Sequence, residues 1–259
     1  MKQTIFYLEE RGGMYLYHFF VLNLGGLYYI INQNYNVRGP TTSITYPIKI
    51  YMKDVLPFQR EAFEIIKDKF ELVDDDELQK ITDYEIVSIY GETCINGYSD
   101  NCNIFPFLRQ LFLERMNYNV IKGKRIFITR KNSESQHYGV LKRMILNENE
   151  LLKVLDKYGF QYIQLENLNT YDKIKLFMES EMIVSSHSGS LTFSLFVNQK
   201  TKIIEILNKG TSGFLHDHYL NISNKLNLNF NRYNNIIEDS NGNFSLNLID
   251  FEKYLQSLI

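Results

Sequence analysis

The sequence predicts an α/β protein built on parallel β-sheets. Between residues 122 and 206, short apolar segments alternate with amphipathic helical segments, and this alternation is typical of βαβ units. A looser version of the same pattern covers the first hundred residues. The chain has 259 residues, of which 44% are hydrophobic, so it can bury the core of one large domain or of two domains of about 100–150 residues.

The first hundred residues predict four strands and the helices between them. The predicted elements are a strand over 3–8, an apolar helix over 14–31 with a break near Gly25-Gly26, a strand over 46–51, a helix over 58–70, strands over 70–73 and 85–90, and a helix over 105–118. The helix over 58–70 follows from apolar residues that recur with a helical period. The segment 118–123 is the best candidate for a domain boundary.

The second half predicts clearer βαβ units. The predicted elements are strands over 125–129, 162–165, 182–185 and 203–206, and helices over 148–158, 170–180, 191–197 and 248–259. Gly159 is a predicted C-cap and Thr170 a predicted N-cap. Residues 207–247 are polar and Asn-rich, which predicts irregular structure. We therefore expect a compact first domain over 1–118, a second over 119–215, and an irregular segment with a final helix over 216–259 that packs back on the first half.

Charge and composition exclude some classes of function. The net charge is −2, which argues against a nucleic-acid binder with a broad basic face. Basic residues cluster locally instead, at 122–131 and 142–143, and this predicts a small anionic ligand. Cys94 and Cys102 are expected to be free thiols. The excess of Asn, Ile, Lys and Tyr is typical of AT-rich genomes, those of large DNA viruses among them.

Two features of the N-terminal region predict a cytoplasmic protein without a membrane span. The first residues are too charged for a secretory signal core. The apolar run over 16–31 contains His18, Asn23 and two glycines, and it is shorter than the ~20 residues that a membrane-spanning helix needs.

Basic side chains follow the first strand of the second half. Arg130 and Lys131 come directly after the strand over 125–129, and Arg143 precedes the helix that begins near Asn147. Ligands of open parallel sheets bind beyond the carboxyl ends of the strands. Arginine binds pairs of phosphate oxygens with its planar fork, so the pattern predicts a diphosphate site. The alternative is that these are solvated loop charges.

A turn of small residues follows the strand over 182–185. It reads His187-Ser188-Gly189-Ser190 and precedes an apolar helix. Small residues let backbone N–H groups and a helix N-terminus approach an anion, and His187 can hydrogen-bond a phosphate or a sugar hydroxyl. A tight turn in which His187 caps the helix is an equal alternative. The Gly-x-Ser-x-Gly spacing of a serine hydrolase is absent.

Three other clusters are candidates for chemistry. His18 lies in an aromatic run, where it is either a core residue or a general base. Asp74 and Asp76 form an Asp-x-Asp pattern that can bind Mn²⁺ and a diphosphate, although the acids also open a helical pattern. His216 and His218 form a His-x-His pair without a third metal ligand at a defined spacing.

The order of these elements resembles glycosyltransferase family 61. The matching stretches are Arg125–Arg130, Arg143 with Asn147-Glu148, Gly159-Phe160, Leu165-Glu166, His187–Thr192 and Ile204-Glu205-Ile206. Tyr17-His18 is similar to the family's N-terminal Tyr-His-Trp segment. The chain departs from the family at Ser188-Gly189-Ser190, where the family has Gly-Ala-Gly, and at Phe193, where the family has Asn.

The resemblance implies two Rossmann-like halves facing a cleft, the GT-B arrangement, and an inverting sugar transfer without a metal or other cofactor. It implies a nucleotide-sugar donor such as a UDP-sugar and a glycan or glycoprotein acceptor. In this interpretation Arg130, Lys131, Arg143 and Asn147 bind the donor together with the turn His187–Ser190, Glu205 contacts the nucleotide ribose, and His18 is the base. A metal-dependent Asp-x-Asp transferase and a non-catalytic carbohydrate-binding or scaffold protein are the alternatives.

Overall fold

The computed structural model describes residues 3–8, 15–32, 46–89, 103–116, 123–130, 143–208 and 217–259. The chain forms two compact units. The first comprises Met1–Tyr118 with Asn169–Tyr171, and the second comprises Asn119–Leu168 with Asp172–Ile259.

The first unit contains a parallel sheet of four strands. These are β1 (Gln3–Leu8), β2 (Ile48–Tyr51), β3 (Phe70–Val73) and β4 (Tyr84–Ile89), in the order β3-β2-β1-β4. Every pairing is parallel. The chain moves outward from β1 to β3 and then returns to the other side of β1, so the strand order reverses between β1 and β4. Such a reversal marks the ligand crevice in open α/β sheets.

Five helical segments belong to the first unit within the described ranges. They are a π-helix (His18–Asn23), α1 (Gly25–Ile31), α2 (Pro57–Ile65), α3 (Asp75–Leu78) and α4 (Ile104–Leu113). The predicted break in the first helix is confirmed, because the π-helix ends at Asn23 and α1 begins at Gly25. A Cβ atom on Gly26 would lie 2.8 Å from a side-chain carbon of Ile89, so this close packing of α1 on the sheet requires glycine.

The second unit contains a parallel sheet of five strands. These are β5 (Lys124–Ile128), β6 (Phe160–Ile163), β7 (Ser180–Ser186), β8 (Lys202–Ile206) and β9 (Asn229–Tyr233), in the order β6-β5-β7-β8-β9. The order reverses between β5 and β7. Six of the seven residues of β7 are buried, as expected for a strand that is covered on both faces.

Helices cover this second sheet, and a short hairpin follows it. The helices are α5 (Glu148–Asp156), α6 (Thr170–Glu179), α7 (His218–Leu226) and α8 (Leu248–Leu258), with 3-10 helices over Leu165–Asn167 and Gly189–Phe196. Strands β10 (Ile236–Glu238) and β11 (Phe244–Leu246) form the antiparallel hairpin. The C-cap of α5 is Lys157, and the predicted C-cap Gly159 lies two residues beyond it, with φ +73°.

The irregular structure predicted for residues 207–247 is wrong over the described part of that segment. From residue 217 onward the segment forms α7, β9 and the β10–β11 hairpin, and β9 pairs with β8 as the fifth strand of the sheet. The polar composition of this segment does not exclude a strand, because β9 lies at an edge of the sheet, where polar residues are tolerated. Its sequence is Asn-Phe-Asn-Arg-Tyr.

The terminal helix α8 belongs to the second unit. Phe251 and Leu255 are fully buried in a cluster with Phe127, Val184 and Phe244, all of the same unit. Glu252 of α8 accepts from Lys157 at 3.0 Å and from the Tyr158 hydroxyl at 3.1 Å, just after α5. The expectation that α8 packs back on the first half is therefore corrected. None of the helices in the described ranges has the length and apolar character that crossing a membrane requires.

Candidate functional site

The candidate site lies where the strand order of the second sheet reverses. Arg130 comes two residues after β5, and His187 comes directly after β7. Because β5 and β7 are parallel neighbours, their carboxyl ends meet at the same edge of the sheet. This edge is the usual ligand crevice of an open α/β sheet.

Two guanidinium groups converge on one backbone carbonyl at this edge. Nη1 of Arg130 donates to the carbonyl oxygen of His187 at 3.3 Å, and Nη1 of Arg143 donates to the same oxygen at 3.4 Å. Burial, with the neighbouring charge of Arg143, lowers the pKa of Arg130 to about 10, and burial also lowers the pKa of Arg143. Both groups remain cationic at neutral pH. The edge thus concentrates positive charge that an anion would stabilise.

The backbone of Arg143 has a left-handed conformation. Its φ is +50°, which costs a residue other than glycine roughly 1–2 kcal/mol. Two hydrogen bonds of the next residue, Met144, hold this conformation. The Met144 N–H donates to the Asn243 side chain at 3.1 Å, and the Met144 carbonyl accepts from the Phe244 N–H at 2.9 Å. Left-handed residues other than glycine are enriched at functional sites, and here the strained residue carries one of the two converging guanidinium groups.

Three serine hydroxyls lie at the end of β7 and in the turn after it. The Ser188 and Ser190 hydroxyls form a hydrogen bond, and the Ser185 hydroxyl lies 3.4 Å from that of Ser190. The 3-10 helix over Gly189–Phe196 begins within the turn. Hydroxyl groups and a helix N-terminus both donate hydrogen bonds to anions, so the predicted anion-binding turn has suitable chemistry.

A buried chain of charged groups lies behind the turn. Nδ1 of His187 is 2.6 Å from one carboxylate oxygen of Glu205, and Nε of Arg232 donates to the other oxygen at 2.8 Å. Nη1 of Arg232 donates in turn to Asp217 at 3.0 Å. Glu205 is fully buried, and a buried carboxylate is tolerated only with such partners.

Sequence analysis missed Arg232 because it lies in the segment predicted to be irregular. The parallel register pairs Glu205 of β8 with Arg232 of β9. Opposite charges at matching positions of two strands, with apolar residues beside them in Phe230 and Tyr233, were the signal that could have identified this pair.

His187 is a neutral imidazole in this environment. Burial lowers its pKa, Glu205 partly opposes this effect through its hydrogen bond, and Arg143 and Arg232 add to it. The Tyr219 ring packs on the imidazole with 5.0 Å between centroids, and burial raises the pKa of the Tyr219 hydroxyl. The site therefore combines two cationic side chains with an uncharged, carboxylate-bonded histidine.

The structure brings most of the predicted donor-binding residues together. Arg130 and Arg143 meet at the turn that contains His187, Ser188, Gly189 and Ser190, and Glu205 lies beneath it. Lys131 lies outside the described residues. The predicted contact between Glu205 and a ribose does not fit a fully buried carboxylate with both oxygens engaged, so that expectation is corrected.

Asn147 and Glu148 connect parts of the second unit. The Asn147 amide donates to the carbonyl of Leu246 at 2.9 Å and accepts from its N–H at 3.0 Å, which fastens β11 to the start of α5. Both carboxylate oxygens of Glu148 lie within 2.9 Å of the buried Thr129 hydroxyl. These bonds hold the end of β5 and the start of α5, the two places next to which Arg130 and Arg143 lie.

His18 lies in the first unit, on the π-helix that follows β1. Its ring lies 5.4 Å from the Tyr15 ring and 5.9 Å from the Tyr17 ring, measured between centroids. Nδ1 is buried and has no hydrogen-bond partner within the described part of the chain, and burial lowers the pKa of the imidazole. A neutral imidazole is the form that accepts a proton, and π-helical turns are frequent at functional sites.

The acidic cluster at Asp74 caps a helix. The Asp74 carboxylate accepts from the N–H of Glu77 at 3.0 Å, and Glu77 accepts in return from the N–H of Asp74 at 3.1 Å. The first bond and the neighbouring Arg60 lower the pKa of Asp74. Within the ranges that the structure describes, no three His, Cys, Asp or Glu side chains cluster as metal ligands. His218 is buried in α7, and its predicted partner His216 lies outside the described residues.

Comparison with known proteins supports the same family as the sequence motifs. Residues 93–204 match the model of the family described as Glycosyltransferase 61, and this segment includes β5, β7 and most of the candidate site. No curated protein matches the chain. The resemblance stated from the sequence is confirmed over residues 93–204, the segment that matches glycosyltransferase family 61.

Proposed function

We propose that this protein transfers a sugar from a nucleotide-sugar donor, such as a UDP-sugar, to a hydroxyl group of a glycan or glycoprotein, with inversion and without a bound metal. The observation that carries the proposal is the convergence of Arg130 and Arg143 at the reversal of the second sheet. Each guanidinium fork can bind a pair of phosphate oxygens, so two adjacent forks suit a diphosphate.

The chemistry divides between bond breaking at the donor and proton removal at the acceptor. The bond between the anomeric carbon and the diphosphate oxygen breaks, and the acceptor oxygen forms a new bond to that carbon from the opposite face. The leaving diphosphate gains negative charge, which Arg130 and Arg143 stabilise. Electrostatic stabilisation of this kind is often the largest single contribution to catalysis.

His18 is the proposed base that takes the proton of the acceptor hydroxyl. Its imidazole is neutral because burial lowers its pKa, and its Nδ1 has no partner within the described residues. General base catalysis by a positioned histidine contributes about 10²–10⁴-fold to a rate. His18 also lies on the first helical segment after β1, the strand beside which the order of the first sheet reverses.

The turn after β7 supplies further donors to the bound nucleotide sugar. Ser188 and Ser190 provide hydroxyl groups, and Gly189 lets the backbone approach the ligand closely. Asn147 does not contact the donor directly in this proposal, because both polar atoms of its amide already bond the backbone of Leu246.

The metal-dependent alternative requires Asp74 and Asp76 to bind Mn²⁺. The Asp74 carboxylate already accepts from the N–H of Glu77 and from Arg60, which fits a helix cap. A non-catalytic scaffold would show glycan binding without nucleotide binding.

A ligand screen by thermal shift tests the proposal against both alternatives. The ligands are UDP, GDP, CMP and dTDP with their sugar derivatives, each with and without Mn²⁺. A ligand at 100 times its dissociation constant stabilises a protein by about 2.7 kcal/mol, which is readily measured. A shift without metal is the expected result. A shift that requires Mn²⁺ would favour the Asp-x-Asp alternative, and no shift with any nucleotide would contradict the proposal.

A further inference from the structure

We propose that His187 recognises a hydroxyl group of the donor through Nε2, and that Glu205 and Arg232 are the positioning residues that make Nε2 a hydrogen-bond acceptor. This inference rests on the proposed function for the nature of the ligand. The arrangement of the three side chains, from which it starts, does not depend on that function.

The hydrogen bond to Glu205 determines which ring nitrogen carries the proton. Nδ1 of His187 lies 2.6 Å from a carboxylate oxygen of Glu205. A carboxylate only accepts, so Nδ1 must be the donor. In a neutral imidazole the second nitrogen, Nε2, is then an acceptor.

Arg232 holds the Glu205 carboxylate in place. Its Nε donates to the second carboxylate oxygen at 2.8 Å, and its Nη1 donates to Asp217 at 3.0 Å. The parallel register of β8 and β9 places Glu205 directly opposite Arg232, so the sheet itself fixes this pair. Because Glu205 is fully buried, it can act on a ligand only through His187.

The surrounding charges favour the neutral form of His187. Arg130 and Arg143 both donate to its backbone carbonyl, and Arg232 lies beyond Glu205. The buried carboxylate of Glu205 is already paired with Arg232. A third positive charge at the turn would repel both arginines.

A neutral imidazole whose Nε2 is an acceptor can bind only a ligand group that donates a hydrogen bond. Phosphate oxygens accept hydrogen bonds and cannot pair with an acceptor nitrogen. A hydroxyl group can donate to it. The diphosphate is therefore assigned to the arginines, and a hydroxyl of the ribose or of the transferred sugar is assigned to His187.

Nitrogen NMR of histidine-labelled protein tests the tautomer without any ligand. The chain has five histidines, and the variant H187N identifies the His187 signals by their loss. At pH 7.5 we expect Nδ1 to carry the proton and Nε2 to be unprotonated. A protonated Nε2, as the other neutral form or as imidazolium, would overturn the inference. If every nucleotide fails to bind, the proposed function is lost, but this spectrum still decides the roles of Glu205 and Arg232.

Binding of UDP, 2′,3′-dideoxy-UDP and UDP-glucose then tests the hydroxyl. H187N retains an N–H for Glu205 but lacks Nε2, so it should remove one ligand–protein hydrogen bond and weaken binding by roughly three- to tenfold. A loss for UDP-glucose alone assigns the sugar hydroxyl. A loss for UDP and UDP-glucose that is absent for 2′,3′-dideoxy-UDP assigns a ribose hydroxyl. Equal losses for all three would contradict recognition of either hydroxyl.

A double-mutant cycle tests whether Glu205 acts through His187. E205Q should weaken the same ligand in the wild-type background, and it should have little further effect in H187N, because the group that it positions is already gone. Independent, additive losses would contradict a positioning role. If E205Q does not fold, the wild-type tautomer alone decides, since only the carboxylate contact explains a proton fixed on Nδ1.

Discussion

At the scale of single residues, the site depends on two arginines that lie outside the regular elements. Arg130 follows β5 and Arg143 precedes α5, and both donate to one carbonyl oxygen after β7. The sequence next to each arginine shows that it lies beside a strand or a helix. The two guanidinium groups converge on one carbonyl only because β5 pairs with β7.

Substitution of Arg143 tests the diphosphate contact. A hydrogen bond to a charged group contributes about 1.5–3 kcal/mol, so R143A should weaken nucleoside diphosphate binding roughly tenfold or more in isothermal titration.

Arg125 provides the matched control for that experiment. It lies at the start of β5, where it donates to Glu181 at 2.6 Å and to the carbonyl of Tyr158 at 2.9 Å. R125A removes the same charge from the opposite end of the strand and should leave binding unchanged. Equal losses in R143A and R125A would show a general charge effect and contradict the assigned contact.

Substitution of His18 separates proton transfer from donor binding. H18Q should lower turnover by about 10²–10⁴-fold, because the transfer loses its base, while the affinity for the nucleotide stays the same. Steady-state kinetics and titration on one preparation give both values. Turnover close to that of the wild type would remove His18 as the base.

At the scale of the elements, local signals predicted most strands and helices of the structure. Apolar periodicity identified β5, β7, α5 and α6, and Gly159 marked the end of α5. The strand β9 was missed because Asn229 and Asn231 conceal its alternation. The bonds between Asn147 and Leu246 join residues 99 apart, and no local pattern reveals such a contact.

The cap of α3 gives a prediction that separates stability from catalysis. Asp74 accepts from the N–H of Glu77, and loss of an aspartate N-cap costs about 1 kcal/mol. D74A should therefore lower the free energy of unfolding by about that amount, measured by urea denaturation, and keep transfer activity. Loss of activity in a folded D74A protein would instead support a metal site at this position.

At the scale of the whole molecule, the sequence motifs and the comparison with known proteins agree on the family. Residues 93–204 match glycosyltransferase family 61, and this segment contains Arg130, Arg143 and the turn His187–Ser190. The donor-side residues could be predicted because ligands of parallel sheets bind at known strand ends. The network behind His187 could not, because Arg232 comes from β9, beyond the matched segment.

The stability of the protein should decrease in mild acid. Burial lowers the pKa of His187, so between its folded value and about 6.5 the unfolded chain binds more protons than the folded one. The free energy of unfolding should therefore fall as the pH decreases from 7 to 5.5. H187N lacks this titration, and denaturation curves should show a smaller decrease for it. Parallel pH profiles for the two proteins would contradict a buried neutral His187.

The central claim is that the edge formed by Arg130, Arg143 and the His187 turn binds the diphosphate of a nucleotide sugar. Isothermal titration of the wild type and R143A with UDP, GDP and dTDP, in the presence of a metal chelator, tests it most directly. We predict that the wild type binds one of these nucleotides without metal and that R143A loses most of the affinity. Binding to neither protein, or equal binding to both, would contradict the claim.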